Sequence, residues 1–600
     1  MNKKFLLSAG AIVALCLCIT MFSGTDSKNK NTPSNEQNSV QTDSQKSPVL
    51  KNNESETAAS APKNESDFSK FIDMSKWQYN EKDGIYYQLG ITYCAHPEDT
   101  TYEKLAIFVP AAYMDCKQNA DNTYSCTKIK QSQGIGFYNS LSAPYLFPIN
   151  APGYQANKAL TKYIDVTPYT NAGMIVVYAG SRGLEHGAPY GVTDIKAAIR
   201  YVRYNNQLLP GYKNRLVVFG MGNAGGLAAV LGTSGNSALY TPYLRKIGAI
   251  ENQDGDMPNM VAIWSPITGL DTANEAYEWD LGLTRTDMTE EQQKISTAMR
   301  KAYAQYINKA GFLHPQGRAL TIQAGEKGDY MSGTYYDYVK EVIENTLNIF
   351  LRQTRFPYIT HGYKNKKIFQ DLTGEKTSGA DLTAANSSLR THTTEPLVLS
   401  GSYLTKDKYL AALNTPKKWI IYSYYTKSSE IKSVKSFVTK MKPATKAIGA
   451  FDALEKDQTE NILFNTGDGK GVHFDTYTAK IFENSKFGNE FKTDFKKRDA
   501  LGYTVLQRVD MYNPMYYLLP SSMGYRTGKV APIWRIRSGI NQSDTSLTTD
   551  INLFLALNRY PTVKKIDFMP IWSLKHVEAE LSGSSQENLI EWLNDLMKPI

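Results

Sequence analysis

The chain has 600 residues, 42% of them hydrophobic and 21% charged, with a formal net charge of +9. That composition supplies a full globular core and excludes low-complexity and collagen-like classes. The positive charge is spread thinly and forms no basic cluster, so no nucleic-acid partner is expected.

Met1-Asn2-Lys3-Lys4 precedes an apolar run at residues 5–22, the layout of a secretory signal. Residues 1–24 are read as a signal peptide or membrane anchor. Cys16 and Cys18 each follow a Leu, where a lipoprotein signal carries a small residue, which argues against lipidation. Residues 25–67 are rich in Asn, Ser, Lys, Thr and Gln and nearly lack large apolar side chains. Such a stretch cannot offset its ordering entropy by burial, so it is expected to be a disordered linker or tether. Export is expected from this start, with the folded part secreted or held at the outer membrane face. Beyond it only Cys94, Cys116 and Cys126 remain; in an oxidising compartment Cys116 and Cys126 can pair and leave Cys94 over. No Cys pair has ligand-like spacing and the His are scattered, so neither a metal nor a cofactor is expected.

Residues 105–110 and 174–180 read as strands, the second a continuous apolar run suited to burial on both faces. A helix follows near residues 192–205, where Ile195, Ala198, Ile199 and Val202 share one side. Residues 216–219 form the next strand, then a glycine-rich turn opens an Ala/Leu-rich helix, and residues 260–265 make another strand. Strand-helix alternation predicts a mostly parallel, doubly wound α/β sheet. Over residues 271–524 the alternation gives way to helical patterns at 290–310 and 335–352, an insertion read as a cap or lid. Its Tyr335, Tyr336, Tyr338, Tyr512, Tyr516 and Tyr517 are read chiefly as packing residues. The sheet resumes at residues 531–540, followed by a helix at 547–557, a strand at 563–568 and a last helix from 586. The core is thus divided into residues 68–270 and 525–600.

The turn Gly220-Met221-Gly222-Asn223-Ala224-Gly225 fits two enzyme designs. As G-x-G-x-x-G after a strand it suits dinucleotide binding, yet no Asp or Glu lies between Asp194 and Glu251 to hold a ribose. As a nucleophile elbow, G-x-S-x-G, it has Gly222 where the Ser belongs and Ala224 where the second Gly belongs.

The blocks 178–182, 194–205, 216–232, Ser265-Pro266-Ile267 with Ala276-Tyr277-Glu278-Trp279, 534–546 and 576–580 resemble, in order, the bacterial tannase and feruloyl-esterase-like α/β-hydrolases. The resemblance implies an α/β-hydrolase fold with a large, mainly helical cap between the two halves of the core. It also implies esterase ancestry, with Asp544 as triad acid and His576 as triad base, in the chain order of that fold. Asp544 has a competing role as the cap of the following helix. Gly222 stands at the nucleophile position and Asn223 at the oxyanion-hole position after it, with Ser181 in a loop able to supply the second donor.

Three readings of function stand beside a fourth, a structural pseudoenzyme with no ligand. One is an exported hydrolase-fold protein with lost or impaired esterase activity, binding a small aromatic-ester or glycan-derived ligand, or a partner protein, under the cap. Another is an active ester hydrolase using Ser181, Ser265 or water activated by the His–Asp pair. The third is a dinucleotide-binding protein.

Overall fold

The computed structural model describes residues 68–130, 132–325, 328–359, 392–393 and 401–598. The signal or anchor and the linker therefore lie outside the described residues. Nine strands form the central sheet: β1 (Gln78–Asn80), β2 (Ile85–Thr92), β3 (Lys104–Pro110), β4 (Tyr145–Pro148), β5 (Ile175–Ala179), β6 (Leu216–Met221), β7 (Met260–Trp264), β8 (Ile533–Gly539) and β9 (Lys565–Ile571). Their order across the sheet is β1-β2-β3-β5-β4-β6-β7-β8-β9. The first three strands pair antiparallel, and from β5 to β9 every neighbour is parallel.

The uninterrupted apolar runs explain the parallel half. All five residues of β5 and of β7 are buried, as strands covered on both faces must be. Crossover helices cover them, notably α1 (Tyr190–Tyr204) and α2 (Gly222–Thr233). Between β4 and β6 the chain leaves for β5 and returns, so β4 lies between the two apolar strands most evident in the sequence. The sequence pattern does not reveal β4, because four residues ending in Pro148 are too few to show a period.

From the end of β7 to the start of β8, no described residue joins the central sheet. This insertion holds α3 (Ala273–Asp280), together with α4 (Glu290–Ala310) and α5 (Thr334–Gln353), which lie close to the two helices expected. Capping chemistry fixes the ends of α4: Thr289 and Gln292 form a reciprocal capping box, and Gly311 closes the helix in the left-handed region. The insertion is not wholly helical, since Ile420–Ser423 and Ser428–Ile431 pair as a small antiparallel ribbon. A minor apolar cluster around Met299, Phe482 and Phe491 belongs to it alone. Most of its apolar residues, Tyr303, Tyr335 and Leu347 among them, join the main core. Tyr335 is fully buried and donates to Asn552 Oδ1 at 2.7 Å, the packing role expected of it.

Cys116 and Cys126 face each other across a hairpin and form a disulfide, while Cys94 is a buried free thiol. Among the described residues no helix is long and apolar enough to cross a membrane.

The core holds a pH-sensitive group on α6 (Leu547–Arg559). Asp550 is buried, and burial pushes its carboxyl up to about 7 against the Ser538 hydroxyl and the pull of Lys442. A folded-state pKa above the unfolded value means that the native state holds this proton more tightly. Its stabilising contribution is complete below the unfolded value, about 4, and is lost as pH rises through about 7. Relative to Asp550→Asn, the natural chain should lose about 2–4 kcal/mol of stability between pH ~4 and ~8, measured by urea unfolding. A difference that does not change with pH would contradict this.

Candidate active site

The turn between β6 and α2 is built by contact as much as by dihedral angle. Met221 is extended, and Gly222 sits at φ +59°, in the left-handed region that costs an L-residue roughly 1–2 kcal/mol. A Cβ on Gly220 would come within 2.8 Å of the Ala224 backbone, so glycine is required there. The Ala224 methyl is itself accommodated and buried, so alanine is no obstacle to the turn. A Cβ on Gly226 would stand 2.2 Å from the Ile267 carbonyl oxygen, and Ile267 N–H donates to Gly222 O at 3.0 Å. The glycines thus seat α2 on the loop after β7. That packing accounts for the glycine spacing without a pyrophosphate, and nothing in the geometry supports the dinucleotide reading.

A Cβ on Gly222 would point at His576, 3.0 Å from Nε2. The imidazole is brought there by the loop after β9. Gly539, ending β8, lies so close to that loop that a Cβ would meet Lys575 O at 1.9 Å. Asn541 N–H donates to Leu574 O at 2.9 Å, and Ser265 Oγ donates to Val577 O at 2.9 Å. Strand ends β7, β8 and β9 therefore clamp the residues on either side of His576.

The partner of His576 differs from the one expected. Its Nδ1 lies 2.7 Å from the amide oxygen of Gln542, which is buried. The nearer carboxylate oxygen of Asp544 is 4.0 Å away, on a side chain 45% exposed. The residue holding the imidazole is thus Gln542, two positions earlier in the same loop. Asp544 does not cap α6 either; the Ser546 hydroxyl accepts from Thr548 N–H there. An amide can orient the ring but carries no charge to stabilise an imidazolium, the second task of a triad acid.

Ser181 also lies elsewhere than anticipated. It follows β5, which β4 separates from β6, and its backbone N–H is committed to Asn157 O at 2.8 Å. Its neighbour Arg182 is fully buried against Asp194 of α1, with N–H and Nη2 both donating at 2.7 Å, and it also contacts Glu98. That turn braces the sheet. The loop that does face the elbow is residues 149–155 after β4, whose Gly153 N–H donates to Asn223 Oδ1 at 3.1 Å. In the same loop Tyr154 adopts φ +58° and is 3% exposed, with its hydroxyl beside the Asn223 side chain. Burial holds that phenol well above its ordinary pKa, with the Glu460 carboxylate adding to the effect. The hydroxyl of Ser265 is buried and donates to Val577 O.

The insertion closes on this edge through Tyr277. Its hydroxyl donates to Ser543 O at 2.9 Å and accepts from the Thr445 and Lys446 N–H groups at 2.9 and 3.1 Å. The Gln542–Asp544 loop is thereby tied to the segment bearing Lys446. Nearby Glu460 is buried, and burial raises its pKa against the attraction of Lys446. Gln542, Gly153, Tyr154, Lys446 and Glu460 were not evident as site residues in the sequence. Asp544 is the carboxylate in the loop between β8 and α6, and the family resemblance points to it. Among the described residues no group of three acidic, His or Cys side chains is placed to hold a metal.

The BD-FAE family model matches residues 149–331, which run from the loop after β4 into the insertion, just short of α5. Among solved structures, the tannin acyl hydrolase from Lactobacillus plantarum is similar at 24% identity and TM-score 0.59, covering 86% of this chain and 94% of that one. The Fusobacterium nucleatum tannase is similar at 22% identity and TM-score 0.61, covering 86% and 95%. A tannin acyl hydrolase in complex with ethyl gallate is similar at 25% identity and TM-score 0.59, covering 86% and 94%. No curated protein matches the chain by sequence. The fold is the α/β-hydrolase fold, with a mostly parallel central sheet and helical regions.

The turn yields a direct test. Gly222→Ala should cost about 1–2 kcal/mol in urea unfolding, because a left-handed alanine also presses a methyl on His576. The His576 ring resonances should shift in the same variant. Unchanged stability and an unmoved ring would refute the geometry.

Proposed function

We propose that this is an exported, tannase-like protein of the α/β-hydrolase fold that has lost its esterase chemistry and keeps the cleft as a ligand-binding site. The observation that carries the reading is that the turn aimed at His576 presents Gly222, while Gln542 holds the imidazole. An ester hydrolase of this design needs a hydroxyl to attack and a charged partner to stabilise the imidazolium that forms. Losing the nucleophile alone costs roughly 10⁶-fold in turnover in a comparable hydrolase.

The ligand class is proposed from the neighbours. Tannin acyl hydrolases similar to this chain are described in complex with ethyl gallate and with 3,4-dihydroxybenzoate, both small aromatic molecules. In this chain Tyr154, Glu460, Lys446 and Asp544 gather polar groups around the elbow, suited to a hydroxylated ring. The insertion between β7 and β8 would then serve as the lid over that cleft. Export is supported by the basic start, the apolar run at residues 5–22 and the Cys116–Cys126 disulfide, whose chemistry suits an oxidising compartment.

Steady-state hydrolysis of ethyl gallate tests the loss of chemistry. The natural chain should be no faster than His576→Ala. Gly222→Ser should show weak turnover, and Gly222→Ser with Gln542→Glu should exceed it by up to about 10⁴-fold, the scale on which a triad needs its charged member. Turnover in the natural chain that His576→Ala abolishes would overturn the proposal.

A further inference from the structure

We propose that the two-stranded ribbon of the insertion docks this protein on the face of an anionic lipid bilayer. Its tyrosine tip enters the headgroup layer, and the lysines beside it meet the lipid phosphates. The inference does not depend on whether the cleft keeps any chemistry.

Among the described residues eleven large apolar side chains are exposed, and five of them, Ile359, Leu404, Ile421, Tyr424 and Tyr425, fall between residues 359 and 425. Apolar side chains exposed singly are ordinary, whereas a group of them marks a contact surface. Ile359 pairs with Ser402, two residues before Leu404. Lys406 lies over the ring of Tyr422, and that ring stands 4.9 Å from the ring of Tyr424. These contacts bring Ile359 and Leu404 into the neighbourhood of the ribbon's tip.

The ribbon is held out firmly. Ile420 and Ile431, paired across it, are buried, while Ile421 and its partner Glu430 are exposed. A two-stranded ribbon alone is marginal in water, so its bracing matters. Helix α5 supplies the brace: Asn348 Oδ1 and Glu344 Oε1 accept from the Ser429 and Ile431 N–H groups at 2.7 and 2.8 Å. Trp419, at the base, packs on Phe437, which packs on Trp572 in the loop leading to His576. So braced, the ribbon keeps its tip away from the core, and Tyr425 is 96% exposed.

Charge selects the partner. The thin spread of charge expected from composition fails here: residues 401–435 carry seven Lys against two acids, Asp407 and Glu430. Lys340 already meets Glu430 at 3.5 Å. Lys427 stands in the turn at the tip, and Lys406 lies beside it over Tyr422. A soluble polyanion would use the lysines and leave Leu404, Ile421 and Tyr425 in water. An anionic bilayer takes both, since tyrosine rings and lysine stems settle at the headgroup level with their polar ends in water. On the proposed export, the apolar start and the linker at residues 25–67 bring the folded part within reach of such a surface.

All seven Trp of the chain are buried, so Tyr425→Trp adds one exposed reporter. The full-length variant is mixed with phosphatidylglycerol vesicles carrying brominated acyl chains, and with brominated phosphatidylcholine vesicles. On the anionic vesicles the added Trp should be quenched and its emission should shift to the blue. Neutral vesicles, which control for tethering through the N-terminal run alone, should change it little. Each lysine near the surface favours the bound state about fivefold, so Lys406→Gln with Lys427→Gln should weaken the effect about 25-fold. No quenching on anionic vesicles, equal quenching on neutral ones, or a blue shift with inorganic polyphosphate alone would overturn the proposal. So would a dimer of the natural chain in sedimentation equilibrium that Tyr425→Ser dissociates, because the patch would then cover a second copy.

Discussion

The site turns on one steric fact: the chain changes from β6 to α2 through a left-handed glycine whose missing Cβ faces an imidazole 3.0 Å away. Everything around that point is arranged to hold it. Gly220 lets Ala224 fold back over the strand, Gly226 lets the helix press on the Ile267 carbonyl, and Gly539 lets the last two loops touch. The close approaches at Gly226 and Gly539 would be broken by a single added methyl. On the proposed reading, the scaffold that aims a nucleophile at a base is kept and the atom that would use it is absent.

The second departure makes the first intelligible. A glycine at the elbow beside an intact Asp–His pair would leave a strong base with nothing to deprotonate. Here the ring is held by Gln542, and the carboxylate expected in that role stands 4.0 Å off at the surface. Both changes act on the same proton: one removes its donor, the other removes the charge that would stabilise it on the ring. Ser265 and Ser181 are built into the framework. Ser265 donates to the residue after His576, and Ser181 belongs to a turn braced by Arg182 and Asp194.

Much of the framework was legible from the residues. The apolar runs gave β5, β6 and β7, the glycine turn gave α2, and helical periodicity gave α4 and α5 nearly to their ends. His576 was found through the family resemblance of residues 576–580, and the structure places it against Gly222. The rest depended on tertiary position. β4 is too short to have a period, so the loop carrying Gly153 and Tyr154 went unseen and Ser181 was taken as a donor in its place. Gln542 went unseen because a neutral amide gives no sign of its role until a ring is seen beside it. Lys446 and Glu460 lie in the insertion, far along the chain from the strands they approach, and no local pattern marks them.

The account stands or falls on whether any serine of the cleft can attack. Intact-mass spectrometry after exposure to a fluorophosphonate probe answers that most directly. The natural chain should carry no adduct, and Gly222→Ser should gain one at residue 222. An adduct on the natural chain at Ser181, Ser265 or another cleft serine, lost in His576→Ala, would contradict the claim that the scaffold has kept its aim and given up its chemistry.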